Sequence, residues 1–237
     1  MSLSIIIPCH NEEKVIANTL DNIDSHLKNV KYEIVLINDF SSDGTYNKFI
    51  ELSKILKNVI YKNNIHRGLG GSIITGINAS NLEYICIFMA DMSDSVEDLK
   101  KYYSLIQLKK LDAVFGSRFI KGSRIINYPK TKLIFNRIFN YIVKVLFLSD
   151  YNDFTNAFKI YKKDTLLKLF PIVSENFNVF LELPLKIISR GYLYEIVSIS
   201  WTNRKNGLSK FNIKELTSKY IFTLIYCFLE KILLKKR

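Results

Sequence analysis

Short apolar runs rich in β-branched residues alternate along the first half of the chain with segments whose apolar residues recur at helical spacing. Runs of the first kind predict strands, and segments of the second kind predict helices. The predicted strands are residues 3–7, 33–37, 58–61, 84–88 and 113–116. The predicted helices are residues 12–27, 45–56, 71–79 and 95–108. This alternation predicts an α/β fold with a mainly parallel central sheet flanked by crossover helices.

The pattern changes after Gly122, where a predicted helix at residues 132–148 carries apolar residues on more than one face. Such a helix belongs either in a core or on a membrane surface. A strand at 158–161, a helix at 179–188, a strand at 194–199 and a last helix from about residue 213 follow.

The last predicted helix is apolar all round between residues 220 and 229. That run is roughly half of the ~20 residues that a membrane-spanning helix needs. Lys235, Lys236 and Arg237 then form a basic tail, which favours the headgroup region of an acidic membrane. We therefore expect residues 213–237 to form a basic and apolar helix that lies on a membrane surface.

The 237 residues contain no linker rich in serine, glycine or proline, no repeat and no low-complexity tract. We expect one domain at residues 1–212, built from a first half (1–120) and a second half (121–212), with the helix of residues 213–237 appended to it. The helix at 132–148 is the possible interfacial element of the second half.

Two features predict a protein that stays inside the cell. Cys9, Cys86 and Cys227 are far apart, odd in number and set in apolar runs, which favours a reducing compartment over a disulfide framework. The apolar run at the N-terminus has neither a basic segment before it nor a cleavage site after it, so it predicts a first strand instead of a signal peptide.

Lysine and arginine outnumber the acidic residues by 34 to 22, and the formal charge is +12. Anionic partners are therefore expected, and charge alone does not choose among phosphates, nucleic acid and acidic lipid. Most of the acids lie in the first hundred residues, whereas residues 118–237 are rich in basic and aromatic side chains. The second half is thus predicted to present a surface to something negative.

Polar side chains follow the first two predicted strands, with Asn11 and Glu12 after one and Asp39 and Asp43 after the other. Ligands of parallel sheets bind at the carboxyl ends of strands, and carboxylates there can accept hydrogen bonds from a base and a ribose. Asp39 directly follows a buried strand, which favours a functional role. Asp43 is explained more readily as a cap of the turn and the next helix.

A glycine-rich basic segment, His66-Arg67-Gly68-Leu69-Gly70-Gly71, opens the third predicted helix. Glycines let the backbone approach a phosphate or sugar closely, and helix N-termini favour anions. The segment matches neither the P-loop nor the dinucleotide fingerprint.

Asp91 emerges from the fourth apolar strand into the same predicted crevice, followed by Ser93 and Asp94. A carboxylate there could bind Mg²⁺ or Mn²⁺, which would bridge a nucleotide diphosphate and stabilise its departure. The alternative reading, that a side chain here caps the following helix, applies to Ser93 or Asp94 and not to Asp91.

Several cations of the second half are candidates for phosphate binding, because arginine binds phosphate with a planar fork and lysine binds it as a point charge. Taken singly, each cation is better explained as a solvated surface charge than as a phosphate ligand. The candidates are Arg118, Lys132, Arg137, Arg204 and Lys210, together with Asn136.

In their order and spacing these segments resemble the family 2 glycosyltransferases, and within them the dolichyl- or polyprenyl-phosphate mannose and glucose synthases. The resemblance covers nearly the whole chain. Its pieces are Pro8-x-x-Asn11-Glu12, Asn38-Asp39-x-Ser41-x-Asp43-Gly44-Thr45, Gly68-x-Gly70, Ala90-Asp91, Gly116-Ser117-Arg118, Asp153 with Phe158, Glu182, and Arg204-x-x-Gly207-x-Ser209-Lys210.

The resemblance implies a GT-A fold and assigns the site residues. It places the nucleotide at Pro8, Asn11, Glu12, Asp39, Asp43, Gly68 and Ala90. It implies Asp91, with Ser93, as the ligands of Mg²⁺ or Mn²⁺, and it makes Asp91, Arg118 and Arg204 the catalytic residues. It surrounds the acceptor phosphate with Arg118, Lys132, Asn136, Arg204 and Lys210.

Three segments depart from the family pattern. Met89 stands where the family usually has the first aspartate of Asp-x-Asp, so Ser93, Asp94 or substrate phosphates must complete a metal shell. Asn38 replaces the first residue of the usual Asp-Asp pair, and Thr155-Asn156-Ala157-Phe158 replaces a small-Gly-Phe segment.

The expected reaction is transfer of a hexose from a nucleotide sugar to a lipid phosphate at the cytoplasmic face of a membrane. A phosphate monoester has its second pKa near ~6, so it is largely ionised at pH 7 and needs no strong base. Inversion at the anomeric carbon is implied by the resemblance, and a membrane-protein subunit is a possible further partner.

Three alternatives stay open. A family 2 transferase acting on a sugar hydroxyl would need a base such as Asp94 or Glu182. An inactive membrane-surface module could have kept nucleotide binding and lost its metal. A nucleic-acid binder is disfavoured, because acids at the strand ends would repel a polyanion and no recognised binding motif occurs.

Overall fold

A computed structural model of the chain describes residues 2–203 and 213–234, with side chains in the second range from residue 218 onward. The predictions made for Arg204 and Lys210 and for the basic tail 235–237 lie outside the described residues.

The centre of the molecule is a seven-stranded sheet with the strand order β3-β2-β1-β4-β7-β5-β8. All neighbouring strands are parallel except β7, which runs antiparallel to both β4 and β5. These strands are β1 (Ser2–Cys9), β2 (Lys31–Asn38), β3 (Val59–Asn63), β4 (Tyr84–Ile87), β5 (Ala113–Ser117), β7 (Lys159–Lys162) and β8 (Tyr194–Ser198). The predicted mainly parallel α/β fold is confirmed.

Two short strands, β6 (Arg124–Ile126) and β9 (Ser200–Thr202), form a separate parallel pair. The sequence analysis did not predict them, because three residues carry too little alternation to indicate a strand. The helices are α1 (Ile16–His26), α2 (Thr45–Ile55), α3 (Leu69–Ala79), α4 (Val96–Leu108), α5 (Lys130–Phe147), α6 (Lys163–Lys168), α7 (Val179–Ser189) and α8 (Ile213–Leu234).

The core lies on both faces of the sheet. Ile5 and Ile7 of β1 pack with α1, α2 and α4 on one face, and Ile6 packs with α3 and α7 on the other. This division follows from the strand pleat, which sends successive side chains to opposite faces. Apolar runs that are continuous, and not alternating, are what a parallel sheet covered on both sides requires.

The start of one helix and the capping residue of another bear on the candidate site and differ from the sequence prediction. Helix α1 begins at Ile16 and not at Glu12, since the backbone N–H of Glu12 donates to Thr45 Oγ1 at 2.9 Å and so belongs to a loop contact. Helix α4 is capped by Ser95, whose Oγ accepts from the N–H of Asp98. The reading of Ser93 or Asp94 as its cap is therefore wrong.

Helix α5 has one buried face and one exposed apolar face, and its place on a membrane surface stays a prediction. Its inner face is buried, while Phe135, Ile138 and Tyr141 of its outer face are 71%, 53% and 68% exposed. Helix α8 packs beside it, with Tyr220 against Phe139 at 5.6 Å between ring centroids. Among the described residues, no helix is both long enough and apolar enough to cross a membrane.

Candidate active site

The loops after β1 and β2 are bonded to each other at the carboxyl edge of the sheet. Asn11, at φ 58°, donates its backbone N–H to Ser41 Oγ at 3.1 Å, and its Oδ1 accepts from the N–H of Ser42 at 2.8 Å. Pro8 lies in β1 beside Ile37 of β2. The two strand ends thus form one rigid edge, in which Asn11 shapes the loops and its nucleotide contact stays a prediction.

Asp43 has the structural role that the sequence favoured. Its Oδ1 accepts from the N–H of Thr45 at 3.0 Å, and its Oδ2 accepts from the N–H of Glu13 at 3.4 Å. These hydrogen bonds lower the pKa of Asp43 against the opposing effect of burial, which is the largest single influence. The carboxylate therefore braces the loop, and a contact with the nucleotide stays a prediction.

Asp39 ties β2 to the glycine-rich turn. Its Oδ1 accepts from the N–H of Gly68 and from Asn64 Nδ2, both at 2.9 Å. Asn64 is buried and also bonds Ser72 and Thr75 of α3. The sequence analysis missed Asn64, although its position directly after β3 is the same signal that singled out Asp39.

The glycine-rich turn packs against the loop at residues 173–176. Gly68 has φ 112°, a conformation that favours glycine, and the N–H of Gly70 donates to the carbonyl of Glu175 at 2.8 Å. A Cβ on Gly70 would lie 1.9 Å from the carbonyl oxygen of Ser174. Gly70 is thus explained by close packing of backbone on backbone.

Glu182 of α7 accepts hydrogen bonds from the loop at residues 173–176. Its carboxylate accepts from the N–H groups of Val173 and Ser174 at 3.0 and 2.8 Å, and it pairs with Lys186 at 2.7 Å. Both charged side chains are fully buried. Glu182 was one of two bases considered for a hydroxyl acceptor; its carboxylate is already engaged by Lys186 and two backbone N–H groups, so a role as base stays a prediction.

The contact at Gly70 yields a testable prediction. Gly70→Ala should lower the free energy of unfolding by about 1–3 kcal/mol, because backbone must shift to admit the new Cβ. Gly44→Ala is the matched control, since a Cβ there meets only the flexible Glu13 side chain. Urea denaturation of the two variants checks this, and equal losses would contradict the packing argument.

Asp91 lies four residues beyond the end of β4 and is half-buried. Its Oδ1 accepts from the N–H of Ser93 at 3.1 Å, across a turn in which Met92 has φ 57°. The preceding carbonyl, that of Ala90, accepts from Thr19 Oγ1 at 2.7 Å. Strand end, turn and α1 together therefore fix where the Asp91 carboxylate points.

Asp94 lies deeper, with only 5% of its surface exposed, and its Oδ2 has no hydrogen-bond partner among the described residues. Burial and the nearby Asp91 raise its pKa to about 7, against the opposing charges of Arg118 and Lys159. The Asp94 carboxyl group therefore interacts both with Asp91 and with the cations Arg118 and Lys159.

Asp91 and its neighbours could bind a divalent cation together with phosphate oxygens of a substrate. In residues 2–203 and 213–234 no cluster of three histidine, cysteine or acidic side chains is placed to hold a metal by itself. Mg²⁺ commonly binds through one or two carboxylates plus substrate phosphates and water. Asp91 can supply one carboxylate, Ser93 is adjacent, and a diphosphate would supply the further oxygens.

Arg118 is held by Asp153. Its Nε and Nη2 donate to the two carboxylate oxygens at 2.8 and 2.7 Å, and its backbone N–H donates to Oδ2 at 2.9 Å. The rings of Phe119, Tyr128 and Trp201 lie 5.4–5.5 Å from its guanidinium carbon. Since Asp153 occupies the fork of Arg118, the predicted phosphate contact stays a prediction, and a positioning role for Asp153 is added.

The two residues of α5 that were predicted to contact the acceptor phosphate differ in their exposure to solvent. Lys132 is exposed, whereas Asn136 is half-buried and donates from Nδ2 to Thr155 Oγ1 at 2.7 Å. Asn140 reinforces this link, since its Oδ1 accepts from the N–H of Phe154 at 2.5 Å. Helix α5 is therefore joined to the loop that carries Asp153.

Lys159 is a buried cation of β7 that sequence reasoning missed. Its amine donates to the carbonyls of Phe154 and Phe180 at 3.1 and 3.4 Å and also to that of Asn156. Burial is the main cause that lowers its pKa to about 7, opposed by Asp153. The amine anchors the loop that leads from Asp153 back to the sheet.

A pH dependence of stability follows from Lys159. Between pH 7 and about 10 the unfolded lysine, with its ordinary pKa of ~10.4, binds a proton that the folded one does not. The free energy of unfolding of the natural chain, relative to Lys159→Met, should therefore rise with pH in that window, by at most about 1.4 kcal/mol per pH unit. Urea denaturation at several pH values measures it, and a flat or falling difference would contradict it.

The sheet order with one inserted antiparallel strand is that of the GT-A fold, which solved structures share. Residues 4–170 match the Glycosyl transferase family 2 domain. The chain belongs to this family.

Curated relatives agree with this assignment. Dolichol-phosphate mannosyltransferase of Pyrococcus furiosus is 26% identical over 216 residues, which cover 89% of this chain and 59% of that protein. The probable glycosyltransferase YdaM of Bacillus subtilis is 35% identical over 139 residues, which cover 55% of this chain and 31% of that protein. The chain thus spans less than two thirds of the length of either relative.

Solved structures of glucosyl-3-phosphoglycerate synthase from Mycobacterium tuberculosis share the fold. The complex with phosphoglyceric acid has a TM-score of 0.71 at 14% identity, covering 95% of this chain and 79% of that chain. The complex with Mn²⁺, uridine diphosphate and phosphoglyceric acid has a TM-score of 0.72 at 15% identity, covering 96% and 78%.

Proposed function

We propose that the protein transfers a hexose, with inversion, from a nucleotide sugar of the GDP-mannose or UDP-glucose type to a polyprenyl or dolichyl phosphate at the cytoplasmic face of a membrane. The observation that carries the lipid half of this proposal is the outer face of α5, which is apolar, exposed and joined through Asn136 to the loop of Asp153. A lipid chain could lie on that face while its phosphate enters the crevice.

The family and the relatives support the donor half. The mycobacterial synthase binds Mn²⁺ and uridine diphosphate, and a nucleoside diphosphate with a divalent cation fits the half-buried Asp91 beyond the end of β4. The Pyrococcus relative is named for a dolichol-phosphate acceptor, which is the acceptor class proposed here. The exposed apolar residues of α5 and α8 favour a peripheral position on a membrane.

The chemistry requires little proton transfer. At pH 7 the lipid phosphate is largely ionised, so its oxygen can attack the anomeric carbon directly while the bond to the diphosphate breaks. When bound, the divalent cation would neutralise charge on the departing diphosphate. The chain's own part is to hold the donor at the β1 and β2 strand ends and to keep the Arg118–Asp153 pair beside the reacting groups.

A sugar hydroxyl as acceptor would need a general base, and of the two candidates only Asp94 lies beside the crevice. An inactive module would bind a nucleotide without turnover. Both alternatives predict outcomes that differ from those of the lipid-phosphate reaction.

The test is a transfer assay with purified protein, Mn²⁺ or Mg²⁺, a panel of labelled nucleotide sugars and polyprenyl phosphate in detergent micelles. Polyprenol of the same chain length is the matched acceptor control. Label should enter the lipid phase with the phosphate and not with the alcohol. Label that appears only on a sugar acceptor, or no turnover with any donor, would contradict the proposal.

A further inference from the structure

Two guanidinium groups share the ring of Phe119. The guanidinium carbon of Arg118 lies 5.4 Å from the ring centroid, and that of Arg137 on α5 lies 4.8 Å from it. Contacts of this kind between a guanidinium and an aromatic face stabilise the position of the cation. Phe119 therefore keeps two positive groups close together at the edge of the crevice.

The two arginines differ in what else they bind. Arg118 is 8% exposed, and its charge is balanced by the buried Asp153. Arg137 is exposed and forms no ion pair with any residue in the described part of the chain. Arg137 is thus the guanidinium without a carboxylate partner among the described residues, whereas Nε and Nη2 of Arg118 donate to Asp153.

Arg137 also lies at the border between the buried face and the exposed apolar face of α5. Lys130, Arg137 and Lys144 are spaced by seven residues, so the helical period places them in one row. The buried face with Asn140 lies on one side of this row, and the exposed apolar face with Tyr141 lies on the other. Of the three cations, Arg137 is the one that contacts Phe119 and so faces the crevice.

We propose that Arg137 binds the phosphate group of the lipid acceptor, a role that rests on the proposed transfer to a lipid phosphate. The lipid chain would lie on the apolar side of the row, with its phosphate at the guanidinium fork of Arg137. The resemblance had implied Arg118, Lys132, Asn136, Arg204 and Lys210 for this phosphate, of which the last two lie outside the described residues. Arg118 is held by Asp153, and Arg137 is the exposed one of the two arginines that contact Phe119.

A binding experiment tests this without turnover. The protein is sedimented with phosphatidylcholine vesicles that contain either polyprenyl phosphate or polyprenol. The natural chain should prefer the phosphate, and Arg137→Gln should lose that preference by about ten-fold, as expected for one charge-assisted hydrogen-bonded contact. Lys144→Gln, which removes the same charge from the same row two turns away, should keep it.

Kinetics supply the second readout. Arg137→Gln should raise KM for polyprenyl phosphate by about ten-fold and leave the affinity for the nucleoside diphosphate unchanged, while Arg137→Lys should recover part of the loss. Equal effects of Arg137→Gln and Lys144→Gln, or no phosphate preference in the natural chain, would overturn the assignment. If the natural chain prefers the phosphate through Arg137 but transfers sugar only to a hydroxyl, the proposed function fails and the phosphate site stands.

Discussion

Asp91→Ala should reduce kcat by at least about 10²-fold and remove Mn²⁺-dependent binding of a nucleoside diphosphate. The reason is that Asp91 is the carboxylate beyond the end of β4 that is placed to share a cation with a diphosphate. Loss of one preorganised group that stabilises developing charge commonly costs about 10²–10³ in kcat. With Met89 in place of a second carboxylate, no neighbouring Asp-x-Asp ligand can substitute for it.

Two further variants separate charge from structure at this position. Asp91→Asn keeps an oxygen that can accept from the N–H of Ser93, so the turn should persist while cation-dependent binding is lost. Asp21→Ala removes an exposed carboxylate of α1 and should leave activity unchanged. Calorimetric titration of nucleoside diphosphate with and without Mn²⁺ makes the comparison. Undiminished Mn²⁺-dependent binding in Asp91→Ala would place the metal elsewhere.

Asp153→Ala should lower the free energy of unfolding by about 3–5 kcal/mol, the range typical of removing one partner of a buried ion pair. Asp153 is fully buried and accepts three hydrogen bonds from Arg118. Without it the guanidinium would stay buried among aromatic rings with no counter-charge. Urea denaturation of the variant measures the loss.

The double variant Arg118→Met/Asp153→Leu tests whether the loss of stability comes from the unpaired buried charge. It should be more stable than Asp153→Ala alone, because the guanidinium of Arg118 is no longer left buried without its carboxylate partner. Glu51→Ala, which removes an exposed ion pair with Lys48, should leave the unfolding midpoint unchanged. A double variant less stable than the single one would contradict the argument from burial of charge.

Much of the fold follows from local pattern. The strands of the first half carry continuous apolar runs, and each predicted helix between them is present, because these signals reside in neighbouring residues. The insertion of β7 between β4 and β5 is different. It depends on contacts between segments about 75 and 45 residues apart in the chain, which periodicity does not report.

The candidate site likewise combines residues with a local sequence signal and contacts between segments that are distant in the chain. Asp39 and Asp91 were singled out because an acid at or shortly after the end of an apolar strand is a local signal, and their functional roles stay predictions. The partners that decide what each group can do are distant in sequence: Asp39 with Gly68, Arg118 with Asp153, and the Gly70 turn with the carbonyl of Ser174. Glu182 matched the family pattern and yet is a buried brace, since its pairing with Lys186 appears only in three dimensions.

The proposed function predicts one particular bond in the product. Nuclear magnetic resonance of the purified product from nucleotide sugar and polyprenyl phosphate should reveal an anomeric proton coupled to phosphorus, with a configuration opposite to that of the donor. An anomeric proton without phosphorus coupling, as in a glycoside of a hydroxyl acceptor, would contradict the central claim.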